Sequence, residues 1–228
     1  MNQRLKTTLV AAACGAAIGI LATRTGRDFS LIPPSARDQA LLAHYPFLLA
    51  GMLGWVAFSL YWEIAAKNAA PAKTSESKGS RAVHVFLANA ALLLEIAPLR
   101  GLGRFLPASS LVMTAGLAVE AVGLFLTIWS RRHLGRNWSG EITIKVDHQL
   151  IRSGPYRILR HPIYTGLLTM YAGIAVITGE RLAIVGFAMA AFAYWRKIRL
   201  EEANLKAAFG AEYESYRRET WALVPGLL

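Results

Sequence analysis

Arg160 and His161 stand immediately before Pro162, a residue suited to the first turn of a helix. They place one permanent cation and one switchable donor beside the free backbone N–H groups of a helix start. Such a site can hold a carboxylate; the same dipeptide can equally serve as an anchor at a membrane interface, where basic residues are common. Further along, Glu201, Leu205 and Phe209 recur at i, i+4, i+8. That spacing puts an acid on an apolar helix face, with Gly210 as a stop. An acid so placed needs a partner: either Lys197 one turn earlier, or a cationic or hydroxyl-rich ligand.

The elements that position these groups belong in a bilayer. The 228-residue chain is 54% hydrophobic and 17% charged, with a mean hydropathy of +0.36, too apolar for an ordinary soluble domain. Its net charge of +11 sits between long apolar runs, where it faces lipid headgroups rather than nucleic acid. A single cysteine, Cys14, excludes a disulfide framework and a multi-cysteine metal site, and no metal is expected. A spanning helix needs about 20 mostly apolar residues. Leu5 to Thr23, Ala40 to Trp62, Ala82 to Pro98 and Ser110 to Ser130 read as spans. The first is taken as an uncleaved helix, because Ala11 suits a lipoprotein cleavage site poorly; Gly15 and Gly19 within it either admit a close neighbour or merely fill it. Pro162 to Trp195, broken by Thr178-Gly179-Glu180-Arg181, reads as a hairpin of two near-spanning arms.

The expected fold is therefore all-α, a polytopic helical bundle of about five to six transmembrane segments. The last two form a hairpin, followed by a cytoplasmic amphipathic helix. Residues 1–67 form an N-terminal helix pair, residues 68–81 a polar linker, and residues 82–228 the core. Alternation of Ile142, Ile144 and Val146 suggests a short, marginal strand. With the N-terminus inside, 19 lysines and arginines fall on one side and 6 on the other. This places both termini and the basic stretches in the cytoplasm.

The ordered set His148-x-Leu150, Gly154-Pro155-Tyr156, Arg160-His161-Pro162-x-Tyr164-x-Gly166, an apolar hairpin, Glu201-Glu202-x-x-Leu205 and Phe209-Gly210-x-x-Tyr213-x-x-Tyr216 closely resembles the isoprenylcysteine carboxyl methyltransferase family and its bacterial relatives. The resemblance runs from about Arg131 to the end, and Leu134-Gly-Arg-Asn-Trp-Ser-Gly140 is similar to bacterial members. It implies an S-adenosyl-L-methionine-dependent methyltransferase in the membrane, with a cofactor site mainly in residues 131–228. Contacts to the cofactor are implied for His148, Leu150, Ile151, Tyr156, His161, Tyr164 and Glu201, with Arg160 and Glu202 as neighbours. Basic donors suit the cofactor's carboxylate, an acid its ammonium and ribose hydroxyls, and an apolar or aromatic slot its adenine.

The resemblance further implies a lipophilic acceptor drawn from among the membrane lipids or a lipidated molecule, with a carboxylate held by a basic residue at the position of Lys197, next to Arg196 and Arg199. Eukaryotic members carry arginine there. Lysine lacks its bidentate grip, so the acceptor need not be prenylated cysteine; phospholipids, isoprenoid acids and small thiols are alternatives. The expected location is the bacterial inner membrane, with the site facing the cytoplasm. Sterol reductases that use NADPH share part of the C-terminal pattern, but no additional basic pocket for a 2′-phosphate is evident. A non-catalytic scaffold is the third alternative. Glu95 and Glu120 fall within apolar segments, where a charge is costly and a role in function or packing must be sought.

Overall fold

The computed structural model describes residues 36–69, 76–97, 103–138 and 149–227. Among these residues six α-helices follow one another: α1 Ala36–Ala66, α2 Lys78–Ile96, α3 Ser110–Leu134, α4 Pro162–Thr178, α5 Arg181–Phe209 and α6 Ala211–Glu219. No β-strand forms among the described residues; two isolated bridges, Arg104 with Glu180 and Leu159 with Trp221, join loops. The first expected span, its Gly15 and Gly19, and the alternating segment at 142–146 lie outside the described residues.

Among the described residues, three helices are long and apolar enough to cross a membrane: His44–Ala66, Lys78–Ile96 and α3 with its 3₁₀ extension, Ser110–Asn137. Together with the fold likeness reported below, they make this an integral membrane protein. Local chemistry fixes the helix ends. Ser77 and Ser109 accept hydrogen bonds from the N–H groups of Ser80 (3.2 Å) and Val112 (3.3 Å), capping α2 and α3. The break expected at Thr178 to Arg181 is the turn of the α4–α5 hairpin. Gly179 adopts φ 60° there and donates its N–H to the Ala175 carbonyl at 2.9 Å, a left-handed cap that glycine enters without strain.

Bundle packing depends on missing side chains. A β-carbon on Gly116 would lie 2.9 Å from the Gly173 carbonyl oxygen, and one on Gly123 would lie 2.5 Å from that of Gly166. Both glycine pairs are seven residues apart on α3 and on α4, two turns along one seam, so the antiparallel backbones touch directly. Glu120, 3% exposed, settles its carboxyl over Gly51 and Gly54 of α1. Added β-carbons there would meet its oxygens at 2.8 and 2.7 Å. Glu95 is likewise buried, its stem against Gly186 of α5. Neither carboxyl has a hydrogen-bond partner among the described residues, and Arg100, the expected neighbour of Glu95, lies outside them. An aromatic core of Trp55, Tyr171 and Tyr194 links α1, α4 and α5.

Candidate active site

The apolar part of α5 ends near Trp195, and the helix then continues well beyond it as a charged rod. This extension brings Glu201 and Glu202 back to the start of α4. Tyr164, in the first turn of α4, donates its hydroxyl to Glu201 Oε2 at 2.7 Å. His161 lies between the two acids: Nδ1 is 3.8 Å from Glu201 Oε2, and Nε2 is 3.2 Å from Glu202 Oε1. Its ring stacks on Tyr164, with centroids 5.5 Å apart and planes 7° from parallel. The lysine one turn before Glu201 also turns inward, with Lys197 Nζ 5.8 Å from the centre of the Tyr164 ring.

Arg160 has a different task. Its Nε donates to Glu202 Oε1 at 2.8 Å, and its Nη1 donates to the carbonyls of Thr220 and Arg217. The last described residues thereby bind the loop before α4. Arg160 N donates to Trp221 O (2.7 Å), His161 N to Ala222 O (3.1 Å) and Trp221 N to Ile158 O (3.0 Å). Tyr216 completes this strap by donating to the Tyr156 carbonyl at 2.7 Å. The short helix α6 thus serves as a clamp that holds the loop bearing Tyr156, Arg160 and His161.

These contacts shape the electrostatics. Burial pushes the Glu202 carboxyl up, but hydrogen bonds and charge from His161 and Arg160 outweigh it and bring Glu202 down to about 2. Burial, and then the nearby Glu201 carboxylate, raise the Tyr156 phenol well above a tyrosine's ordinary value. Burial and Glu202 raise Tyr213 in the same way. Tyr216 is pushed up to about 12 by burial, against the opposing charges of Arg160 and Arg152. Glu202 is thus a fixed anion within a structural ion pair. Glu201, with its side chain 33% exposed, is the acid still open to a ligand.

Of the residues expected at the site, Tyr156, Arg160, His161, Tyr164, Lys197, Glu201 and Glu202 come together, and the half-buried Leu150 and Ile151 lead into the same loop. His148 lies outside the described residues. Arg199 is exposed, since two residues along a helix turn a side chain to the far face from Lys197 and Glu201. Arg196 donates to Ser80 Oγ at 2.9 Å and to its carbonyl at 3.3 Å, which ties α5 to the start of α2. Tyr213 and Tyr216 were legible as a repeated aromatic at i, i+3, though not as the clamp's buried face. A basic cavity also forms where the sequence suggested none. It lies between the ends of α1 and α3 and is lined by Lys67, Arg131, Arg132 and Arg136.

Residues 111–212 match the family described as Phospholipid methyltransferase. The protein-S-isoprenylcysteine O-methyltransferase of Dictyostelium discoideum is 33% identical over 82 residues, covering 36% of this chain and 35% of that one. A probable protein-S-isoprenylcysteine O-methyltransferase of Oryza sativa subsp. indica is 32% identical over 117 residues, covering 50% and 61%. The chain thus spans between about a third and three fifths of the length of these relatives. The solved structure of the eukaryotic intramembrane Ras methyltransferase ICMT superposes with a TM-score of 0.59 at 19% identity, over 86% of this chain and 69% of that one, and so shares the fold. Residues 111–212 are thus similar to the phospholipid methyltransferase family, and the helical bundle that contains them shares its fold with a solved intramembrane methyltransferase.

Proposed function

We propose that this protein is an S-adenosyl-L-methionine-dependent methyltransferase that methylates a lipophilic acceptor, an isoprenylcysteine-like carboxylate being the best fit. The observation that carries the proposal is the convergence of Tyr164, His161 and Glu201 at the end of the bundle, inside the segment that matches the family. The half-open Glu201 carboxylate is suited to an ammonium or ribose hydroxyls. The stacked rings of His161 and Tyr164 offer a flat apolar wall. Leu150, Ile151 and Tyr156 extend that wall, and His148 belongs to the same proposed set. Arg160 and Glu202 act one step removed, by holding His161 and the strap.

When bound, the cofactor supplies a methyl group on a sulfonium centre, and a carboxylate near neutral pH accepts it without giving up a proton. No general base is then required. The protein's own share is alignment and exclusion of water: Lys197 holds the acceptor carboxylate beside Tyr164, and the 220–223 strap closes the loop from the aqueous side. Arg199 is the outer member of the proposed acceptor pair and meets an acceptor headgroup only from the solvent face. The proposed architecture keeps an N-terminal helix pair (1–67), a polar linker from residue 68 and a core (82–228), except that residues 78–81, expected in the linker, form the first turn of α2. Both termini and the site face the cytoplasm of a bacterial inner membrane, as the distribution of lysine and arginine favours.

Calorimetric titration of the detergent-purified protein with S-adenosylmethionine and S-adenosylhomocysteine tests the proposal. Saturable binding by the wild type, lost in Glu201→Ala and in His161→Ala, is expected. A folded wild type that binds neither compound overturns it. Methyl transfer to a prenylcysteine analogue, compared with phosphatidylethanolamine and a small thiol, then identifies the acceptor.

A further inference from the structure

The ends of α1 and α3 enclose a cavity of about 660 Å³ lined by Tyr61, Ile64, Lys67, Arg131, Arg132 and Arg136, among others. Among the described residues, none assigned above to cofactor or acceptor lines it, and neither does any carboxylate. Arg131 is its built element. The residue is 3% exposed. Its Nη1 donates to the Gly135 carbonyl at 2.8 Å, its Nη2 donates to the Ala65 carbonyl across the helix pair, and its guanidinium lies 4.3 Å from the centre of the Trp138 ring. The fork is thereby fixed in place, yet its Nε has no partner among the described residues. A buried guanidinium with N–H donors left over beyond these two bonds, in the lining of a basic cavity, calls for an anion.

We propose that this cavity binds the phosphate headgroup of an anionic phospholipid. The occupant is argued from its place in the fold. The cavity sits at the ends of two helices of membrane-spanning length, the depth at which lipid phosphates lie and basic pockets between helices capture them. Below it, Leu60 (56% exposed) and Ile64 (66% exposed), one turn apart on α1, leave an apolar track along which an acyl chain can lie. Lys67, Arg132 and Arg136 add three cations around Arg131, more than a zwitterionic headgroup needs. A free anion gains nothing from the apolar track. Bound lipid would also brace Trp138, which packs edge-on against Trp62 at 5.1 Å, and so would join α1 to the segment that leads toward the cofactor loop.

The test uses the full chain in non-ionic detergent, titrated calorimetrically with dioctanoyl phosphatidylglycerol, dioctanoyl phosphatidylcholine, inorganic phosphate and NADPH. The wild type is compared with Arg132→Gln/Arg136→Gln, both exposed positions outside the proposed active site. Phosphatidylglycerol is expected to bind saturably and at least about tenfold more tightly than phosphatidylcholine, and the double variant to lose about tenfold. S-adenosylhomocysteine binding stays unchanged in that variant. Equal binding of the two lipids, or phosphatidylglycerol binding indifferent to the double variant, overturns the proposal. So does inorganic phosphate or NADPH binding as tightly as the anionic lipid. Lipid binding without any cofactor binding would leave this site standing and remove the methyltransferase function instead.

Discussion

The Tyr164 hydroxyl reaches Glu201 Oε2 at 2.7 Å across 37 positions of sequence, joining the first turn of α4 to the charged extension of α5. This one bond fixes the Glu201 carboxylate beside Tyr164, with its Oε2 3.8 Å from His161 Nδ1. In Tyr164→Phe the ring stack survives and only the bond is lost. A hydrogen bond to a charged group contributes roughly 1.5–3 kcal/mol, so affinity for S-adenosylhomocysteine is expected to fall by about tenfold or more with little change in melting temperature. Calorimetry beside a thermal melt checks both parts.

Glu202 supplies a pH dependence of known sign. Its carboxyl lies at about 2 in the folded protein against an ordinary 4.5, so the native state binds fewer protons than the unfolded chain between those values. The stabilisation is complete above about pH 4.5 and is lost as pH falls toward 2. Fluorimetric melts from pH 6 to pH 2.5 should show the wild type losing stability over that window. Glu202→Gln should be less stable at pH 6 and flatter below it.

Arg160 is expected to control the C-terminal strap. Removing it leaves Glu202 a partly buried acid short of its cation and frees the carbonyls of Arg217 and Thr220. Breaking a buried pair from one side costs about 3–5 kcal/mol. Arg160→Ala should therefore open the strap, and limited trypsin digestion should cleave after Arg217 or Arg218 many times faster than in the wild type. Equal digestion rates would show that other contacts hold the strap.

Glycine substitutions separate packing from propensity. Gly123→Ala drives a methyl into the Gly166 carbonyl, where backbone cannot yield cheaply, and should cost about 1–3 kcal/mol. Gly79 lies in the first turn of α2 with nothing within 4 Å of an added β-carbon, so Gly79→Ala should be neutral or stabilising by up to about 1 kcal/mol. Opposite shifts in melting temperature are the expected result.

The helices and the hairpin were legible because apolar run length and a polar break are direct signals of spans and turns. Thr178 to Arg181 marks the α4–α5 turn, and Gly210 marks the end of α5. The grouping of Tyr164, His161 and Glu201 followed from motif order. Roles within the group did not follow, because they depend on geometry that spacing leaves open. Arg160 and His161 are adjacent in sequence, yet one holds the strap while the other lies between two acids. Lys197 and Arg199 are two residues apart and face opposite ways. The basic cavity was hidden for a similar reason: Lys67 and Arg131 meet only when the ends of α1 and α3 do, and neither segment alone distinguishes a pocket from an interfacial anchor.

The glycine seam between α3 and α4 has a consequence for traffic. Where two backbones touch at Gly116–Gly173 and again at Gly123–Gly166, no side chains stand between them to swing aside, and the seam leaves no gap for a third group. A molecule arriving sideways from the bilayer must therefore pass along some other helix boundary.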